Sequence, residues 1–382
     1  MIFKNGRIWT MEGDIFESGC MEVKDGRIAY VGEEEKAGEA VDLKGKWVLP
    51  GFVDAHCHVG MWENGMADEG DDGNEATDPV TPHLRAIDAI NPLDQSFREA
   101  LEAGVTTVVT GPGSANVIGG RFVALKTHGR RVEDMIVKEP QALKIALGEN
   151  PKRVYKDQEK APATRMATAA LLREAFVEAQ EYQRKLELGK ADPEKLPDRD
   201  LKMETLVLAL ERKIPVKAHA HRADDIMTAL RIAREFGLDM TIEHCTEGAL
   251  ILDILKEEHA RVILGPIICD RGKVELRHLS DGNPALFEKA GIKFALMTDH
   301  PVTPIQYLPL CALVAVRQGL SEEAALRAIT IHGAEMAGIA DRVGSLKVGK
   351  DADFTVFSGH PLDFRTKVIA VYVNGKLAAG EL

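Results

Sequence analysis

The chain has 382 residues and a formal net charge of −12, and 45% of its residues are hydrophobic. This length allows one large domain, or one large and one small domain, with enough apolar residues for a sizeable core. The acidic balance argues against nucleic acid or an anionic membrane as a partner, because both are bound by basic surfaces. A small-molecule substrate is the expected partner, and association into a homo-oligomer stays open.

The five cysteines are scattered along the chain and form no CxxC pair. Such an odd, dispersed set argues against a disulfide framework and against a cysteine zinc site. Residues 1–20 carry charges throughout and lack the apolar core of a signal peptide. No apolar run approaches the roughly 18 residues typical of a transmembrane helix. These features predict a cytoplasmic location.

Both ends of the sequence have the pattern of short strands joined by tight turns. Residues 3–11 and 23–32 each place Asn-Gly or Asp-Gly between apolar stretches, which is a strong hairpin signal. Residues 368–380 repeat the pattern, and chain ends often lie close together in a domain. We therefore predict a small β-sandwich domain built from both termini, residues 1–50 plus 343–382, with residues 51–342 inserted between them as a second domain.

The inserted segment alternates apolar strands with helical patterns. Strands are predicted at residues 104–113, 214–221 and 240–245, and amphipathic helical patterns stand between and after them. This alternation favours an α/β fold, a parallel sheet closed as a (β/α)8 TIM-like barrel, over the competing doubly wound open sheet. The glycine-rich stretch 111–120 matches no phosphate-binding motif and indicates a turn after a strand.

Two charged segments interrupt the alternation. Residues 63–79 form an acidic loop at the mouth of the predicted barrel, and both a lid and a disordered insertion fit its composition. Residues 181–202 have the pattern of a charged helix end followed by a linker, which predicts solvated surface.

Histidines stand at the ends of several predicted strands. His56 and His58 alternate along one strand, so their imidazoles share a face, and Asp54 has the same parity. Later strands end in the same manner, and they carry His219 with His221, then His244, then Asp299 followed by His300. In a barrel such positions converge on the carboxyl-terminal mouth. Neutral imidazoles gathered there with a carboxylate would suit a divalent metal ion.

These motifs resemble those of the amidohydrolase superfamily of metal-dependent hydrolases, most closely its imidazolonepropionase-related branch. The resemblance rests on PGFVDAHCH, VKAHAH, TIEHC and MTDHP, and on residues 332–359, which are similar to the family's return into its β-sandwich. It covers essentially the whole chain. It implies one or two bound divalent ions, with zinc expected and manganese, iron or nickel as alternatives.

The resemblance also implies roles for single residues. His56, His58, His219 and Asp299 would hold the first ion. His244 would bind a second ion or polarise the carbonyl group of the substrate. Asp299 would act as the general base towards water and then as the general acid towards the leaving nitrogen.

Many members with two ions bridge them with a carboxylated lysine, and two lysines are candidates here. Lys144 is preferred, because it has apolar neighbours and precedes a loop, and Lys126 on the preceding predicted strand is the alternative. An amine must be desolvated or placed beside cations before it reacts with CO2. A site with one ion and no modified lysine stays open. The expected substrate contacts are His221, Arg222 and Lys126, the last two for an anionic group.

The expected reaction is hydrolysis of a non-peptide or dipeptide C–N amide bond by metal-activated water, in a cyclic amide, an N-acyl compound or a dipeptide. Deamination of a heterocycle is the alternative. Deaminating relatives often carry His-x-x-Glu on the fifth strand, whereas Arg222 stands at the position of that glutamate. A catalytically silent barrel scaffold is a third possibility, but it would be expected to have lost ligands, and this sequence retains each of them.

Overall fold

The structure of the protein is a computed structural model that describes all 382 residues. Its strands are β1 Ile2–Trp9, β2 Ile15–Lys24, β3 Arg27–Gly32, β4 Ala40–Asp42, β5 Trp47–Pro50, β6 Phe52–Cys57, β7 Val105–Thr110, β8 Ile118–Lys126, β9 Ile136–Ala146, β10 Val216–Ala220, β11 Met240–His244, β12 Arg261–Leu264, β13 Phe294–Leu296, β14 Phe354–Phe357, β15 Val368–Val373 and β16 Lys376–Gly380. Its α-helices are α1 Gln95–Glu102, α2 Val132–Met135, α3 Glu149–Lys156, α4 Arg165–Ala191, α5 Leu201–Leu210, α6 Ala223–Phe236, α7 Leu252–Glu257, α8 Asn283–Ala290, α9 Leu308–Arg317, α10 Glu322–Ala328 and α11 Ile331–Ala337.

Both ends of the chain contribute strands to one sheet. The strand order is β16-β15-β14-β5-β1-β2-β3, and β4 pairs beside β1. The two ends meet where β14 pairs antiparallel with β5. A core of 13 buried residues draws on both ends and includes Phe3, Val48 and Phe354. The ends therefore share a sheet, while the two-layered sandwich and the domain boundaries stay predictions.

The strands of the middle segment form a second sheet, in the sequential order β6 to β13. Backbone hydrogen bonds bring its two edges together: the N–H of His58 donates to the carbonyl of His300 at 3.0 Å, and the N–H of Asp299 donates to the carbonyl of His56 at 3.2 Å. The sheet is thus a nearly closed barrel, as predicted, and not an open doubly wound sheet.

One strand departs from the predicted (β/α)8 alternation. β8 runs antiparallel to both β7 and β9, whereas the other neighbouring pairs in this sheet are parallel. The connection from β7 to β8 is formed by residues 111–117 alone. Parallel neighbours need a crossover of about a dozen residues or more, and this turn is too short for one. The prediction of an all-parallel barrel was therefore wrong at β8.

Helices cover the barrel and use their apolar faces to do so. α6 buries Ile226, Ala229 and Leu230, which recur at helical spacing, and it ends at Gly237, whose φ of 67° suits a residue without a side chain. The largest core cluster contains 63 buried residues. α4 is the longest helix at 27 residues, and no helix combines the length and the apolar character needed to cross a membrane.

The acidic segment 63–79 lies against the turn that follows β7. The side-chain oxygen of Asn74 accepts a hydrogen bond from the N–H of Ala115 at 3.0 Å. The N–H of Gly113 donates to the carbonyl of Gly73 at 2.8 Å. These bonds make it an ordered segment at the barrel mouth, and a lid function stays a prediction.

Candidate metal centre

The predicted ligands lie at one edge of the barrel, because the strands that carry them run in the same direction. The carboxyl ends of β6 and of β9 to β13 meet at this edge, and side chains there converge on the mouth. The residues concerned are His56 and His58 on and after β6, Lys144 on β9, His219 and His221 on and after β10, His244 at the end of β11 and Asp299 after β13.

His56, His58 and Asp299 form the first donor group, with ligand atoms within 4.8 Å of one another. Oδ1 of Asp299 lies 3.2 Å from Nε2 of His58 and 3.6 Å from Nε2 of His56. Asp299 has a φ of 54°, which is uncommon for a residue with a side chain and costs about 1 kcal/mol or more. This strained conformation at a candidate ligand is consistent with a functional constraint.

His219, His221 and His244 form the second donor group. Their rings are close, with centroids 4.4 Å apart for His219 and His244 and 4.3 Å apart for His221 and His244. The sequence predicted His219 as a ligand of the same ion as the histidines of β6, and that role stays a prediction; the structure places His219 beside His221 and His244. The reason is that β10 and β11 are neighbouring strands, which pair Ala220 with His244.

Backbone carbonyls fix the orientation of two candidate ligands. Nδ1 of His58 bonds to the carbonyl of Gly111 at 2.7 Å, and Nδ1 of His244 bonds to the carbonyl of Gly265 at 2.9 Å. A carbonyl oxygen can only accept, so each Nδ1 carries the hydrogen and each Nε2 keeps its lone pair. Metal-binding histidines are commonly oriented in this manner.

Four of the candidate histidines are held in the neutral form that binds metals. Burial lowers the pKa of His56, His219 and His244 well below the usual value, and it lowers the pKa of His221 to about 3. Nε2 of the three histidines in the second group is buried and has no hydrogen-bond partner. Such atoms are costly unless a ligand satisfies them, so this donor set fits one or two divalent ions.

Asp299 is held in the ionised form. Burial by itself would raise the pKa of its carboxyl group, but the close approach of His58 and the charge of Lys144 lower that pKa below the usual value. Its side chain is 14% exposed, so it still reaches the mouth of the barrel.

Lys144 lies beside the first group. Its Nζ is 3.1 Å from Nε2 of His56 and lies 5.5 Å from the centre of the Phe122 ring. Burial lowers the pKa of Lys144 to about 8. The position meets the desolvation requirement for a lysine that reacts with CO2.

Lys126 is not part of the candidate centre, which corrects both roles predicted for it. It is the last residue of β8, and β8 runs antiparallel, so its end lies at the opposite edge of the barrel. Nζ of Lys126 contacts the carboxylate of Asp353 and lies 3.0 Å from that of Asp351. These contacts join the barrel to the terminal sheet.

Arg222 follows His221 at the start of α6. Its guanidinium pairs with the carboxylate of Asp224 at 2.9 Å, and its side chain is 30% exposed. His221 itself is buried, and its Nδ1 lies 2.8 Å from Oγ1 of Thr246. Substrate contacts by Arg222 and His221 stay predictions.

Sequence reasoning missed a buried ion pair behind His56. Oε2 of Glu243 lies 3.2 Å from Nδ1 of His56 and 3.2 Å from Nζ of Lys217. The available signal was a charged residue inside each of two apolar strands, β10 and β11. A carboxylate behind a histidine orients its ring and raises its basicity.

The role of Asp54 was also missed, although its parity with the histidines was visible. One oxygen accepts from the N–H of His56 at 3.1 Å, and the other accepts from the N–H of Thr298 at 3.1 Å. Burial raises the pKa of Asp54 to about 7, even though the bonds from Thr298 oppose that rise. Asp54 thus ties β6 to the segment that carries Asp299.

A further carboxylate, Glu275, gave no signal in the sequence. It lies in a 3-10 helix, Val274–Leu276, after β12, and its side chain is 1% exposed. Oε1 of Glu275 is 3.7 Å from Nε2 of His219 and 3.7 Å from Nε2 of His221.

Comparison with known proteins gives consistent matches. The model of the amidohydrolase family matches residues 47–378. The crystal structure of an amidohydrolase from Thermotoga maritima MSB8 has a TM-score of 0.97 and 44% identity, over the whole of both chains. An imidazolonepropionase of Bradyrhizobium sp. is 23% identical over 405 residues, which cover 93% of this chain and 92% of that protein. Amidohydrolase tasK of Hapsidospora irregularis is 28% identical over 419 residues, which cover 98% of this chain but 42% of the length of that relative.

Proposed function

Because the chain belongs to the amidohydrolase family, in its imidazolonepropionase-related branch, we propose that it hydrolyses a C–N amide bond of a small molecule. The proposed substrates are a cyclic amide, an N-acyl compound or a dipeptide. The observation that carries the proposal is the convergence of two groups of buried metal-ligand atoms at one mouth of the barrel.

Two donor groups would hold the metal. His56, His58 and Asp299 would bind the first ion, and His219 and His244 would contribute to a second. We propose zinc, because imidazole and carboxylate groups are its frequent ligands. When bound, such an ion acts as a Lewis acid and lowers the pKa of water towards about 7.

Asp299 is the proposed proton carrier. Its carboxylate is held 3.2 Å from Nε2 of His58 and faces the mouth of the barrel. It accepts a proton from the attacking water and donates that proton to the leaving nitrogen, so the products are a carboxylate and an amine. His244 is proposed either to bind the second ion or to polarise the carbonyl of the substrate.

Lys144 is proposed to bridge the two ions as a carbamate, formed from its neutral amine and CO2 with loss of a proton. Its burial and its 3.1 Å contact with His56 support this role. Arg222 and His221 are proposed substrate contacts, because they stand side by side where β10 ends at the mouth.

The test combines metal analysis with a substrate screen. The purified protein is analysed for bound metal and for the added mass of a carbamate, and lactams, hydantoin-like rings, N-acyl amino acids and dipeptides are screened for amine release. For a substrate that is cleaved, Asp299→Asn is expected to lower the rate by about 10²- to 10⁴-fold. Asp270→Asn, at an exposed aspartate after β12, is the matched control. Unchanged turnover in Asp299→Asn contradicts the proton-carrier role, and a protein without metal or metal affinity favours the silent scaffold.

Deamination of a heterocycle is the second candidate reaction. Arg222, which stands in place of the glutamate expected in deaminating relatives, is paired with Asp224 and carries no proton-donating carboxyl group. Release of ammonia from aminopyrimidines or aminopurines, with no cleavage of amides, would favour this candidate over the first.

A further inference from the structure

Glu275 is a buried carboxylate with one oxygen that has no hydrogen-bond partner. Its side chain is 1% exposed, and Oε1 is the atom without a partner. Burying a charged group without compensation costs several kcal/mol. An oxygen in this position is therefore expected to have a ligand that the protein itself does not supply.

The atoms that face Oε1 of Glu275 also lack partners. Nε2 of His219 and Nε2 of His221 each lie 3.7 Å from it, and Nε2 of His244 is likewise buried without a partner. Two atoms bound about 2.0–2.1 Å from one tetrahedral ion stand roughly 3.4 Å apart. The two spacings to Glu275 are close to that value, and the ligand atoms of His219, His221 and His244 lie within 4.8 Å of one another. A cation held by the histidines would therefore lie beside Oε1 of Glu275.

The other oxygen of the Glu275 carboxylate fixes its direction. Oε2 accepts from the N–H of Glu149 at 3.0 Å, and a side-chain oxygen of Glu149 accepts from the N–H of Glu275 at 3.3 Å. Gly148 has a φ of 88°, and a Cβ there would lie 2.8 Å from Oε2. The bond to Glu149 caps the start of α3, but it uses Oε2 and leaves Oε1 directed at the histidines.

The cation nearest to Oε1 does not remove the need for a ligand. Nζ of Lys273 lies 3.9 Å from Oε1, beyond hydrogen-bond distance, and its side chain is 31% exposed. Lys273 therefore remains partly solvated at the mouth, while the carboxylate of Glu275 lies deeper.

We propose that Glu275 and His221 complete, with His219 and His244, a four-donor site for a second divalent cation, in which His221 is a ligand of the ion and no longer a substrate contact. The proposal rests on the metal-dependent function proposed above. Three imidazoles and one carboxylate are a donor set that zinc accepts in tetrahedral geometry. The second ion then needs no carbamate on Lys144 for its binding, although a carbamate can still bridge to it.

The experiment measures the number of tightly bound ions rather than activity. Metal-stripped full-length protein is titrated with Zn²⁺ by calorimetry, and the metal content after desalting is determined by mass spectrometry. The wild-type protein and the Lys144→Met variant are each expected to bind two ions. The Glu275→Gln variant is expected to bind one ion. Glu149→Gln is the matched control: it alters the residue bonded to Glu275 but faces no histidine, and it is expected to keep two.

Each outcome decides between the arrangements. The proposed site would be overturned if Glu275→Gln still bound two ions, or if the wild-type protein bound only one. Neither result would contradict the proposed hydrolytic function. Loss of an ion in Lys144→Met with both retained in Glu275→Gln would assign that ion to the carbamate and overturn the proposal. Wild type that binds no ion would overturn the proposed function as well. His221→Ala is expected to lose the same single ion, so the test stands even where Glu275→Gln fails to fold.

Discussion

The buried ion pairs of Lys126 are predicted to stabilise the junction between the barrel and the terminal sheet, and this can be tested by mutation. Nζ of Lys126 contacts Asp353 and lies 3.0 Å from Asp351, and the three side chains are at most 4% exposed. Lys126→Met removes the positive charge and keeps most of the apolar stem. The two carboxylates then stay buried with one fewer partner each.

The magnitude follows from these distances. The Coulomb energy of one such pair at 3.0 Å is about 5.5 kcal/mol at an effective dielectric constant of about 20. Breaking a buried pair by removing one partner costs about 3–5 kcal/mol. Asp351 keeps Arg342 at 2.8 Å, and Asp353 keeps the N–H of Asn374 at 2.8 Å. We therefore expect Lys126→Met to lower the free energy of unfolding by about 3 kcal/mol, the lower end of this range. This corresponds to roughly a hundredfold change in the folding equilibrium constant.

The assay is guanidinium unfolding of the wild type and the variants, followed by circular dichroism. Burial raises the pKa of Asp353, and loss of Lys126 raises it further, so protonation at low pH relieves the unpaired charge. The loss of stability should therefore be larger at pH 8 than at pH 5. The double variant Lys126→Met/Asp353→Asn should recover part of it. Lys138→Met, at a partly exposed lysine of β9, is the control and should change stability by about 0.5 kcal/mol or less.

Either of two results would show that Lys126 does not stabilise the junction between the barrel and the terminal sheet. A loss below about 1 kcal/mol in Lys126→Met would mean that the pair is compensated by water or by relaxation of the sheet. Unchanged stability with weaker substrate binding would restore the substrate contact that the sequence predicted for Lys126. We expect turnover per folded molecule to stay at the wild-type level, because Lys126 lies at the edge of the barrel opposite the candidate centre.

Asp54→Asn removes the carboxylate that ties Thr298 to β6 and so helps to position Asp299; kcat/KM should fall about 10- to 100-fold. A wild-type kcat/KM would count against this positioning role. Glu243→Gln removes the negative charge beside His56, so calorimetry with Zn²⁺ should show about 10- to 100-fold weaker binding at one site. An unchanged Kd would be the contrary result. Burial lowers the pKa of His332 to about 4, below the roughly 6.5 of an unfolded chain, so the folded state binds fewer protons and stability is lost as the pH falls from about 6.5 towards 4. His332→Gln should reduce the slope of the free energy of unfolding against pH over this range by up to about 1.4 kcal/mol per pH unit, measured by guanidinium unfolding. Equal slopes in both proteins would exclude His332 as a cause.

The clustering of the candidate ligands could be predicted because strand geometry is periodic. Alternate residues of a strand share a face, so the His-x-His pattern places His56 and His58 together whatever the remaining structure is. Parallel strands then bring their carboxyl ends to one edge, which adds His244 and Asp299. Neither step needs knowledge of loop conformation, and the resemblance to a known family rests on the same residues.

The direction of β8 and the position of Glu275 depend on loops and could not be obtained in this manner. A β-branched, apolar strand has the same pattern in either direction, so only the short 111–117 turn shows that β8 is antiparallel. That direction places Lys126 far from Lys144, although the sequence had offered Lys126 as the alternative to Lys144. Glu275 reaches its site through an irregular connection after β12, and its approach to α3 depends on the missing side chain of Gly148.

The supports behind the histidines differ in kind, and this difference has a consequence for mutagenesis. His58 and His244 are oriented by the carbonyls of Gly111 and Gly265, which are backbone atoms that no side-chain substitution removes. His56 is backed instead by the carboxylate of Glu243. This carboxylate lies 3.2 Å from Nδ1 of His56 without a hydrogen bond, so its support is electrostatic, and a side-chain substitution can remove it. Metal affinity at that group can therefore be tuned by substitution behind His56, whereas the orientation of His58 and His244 is fixed by the path of the chain.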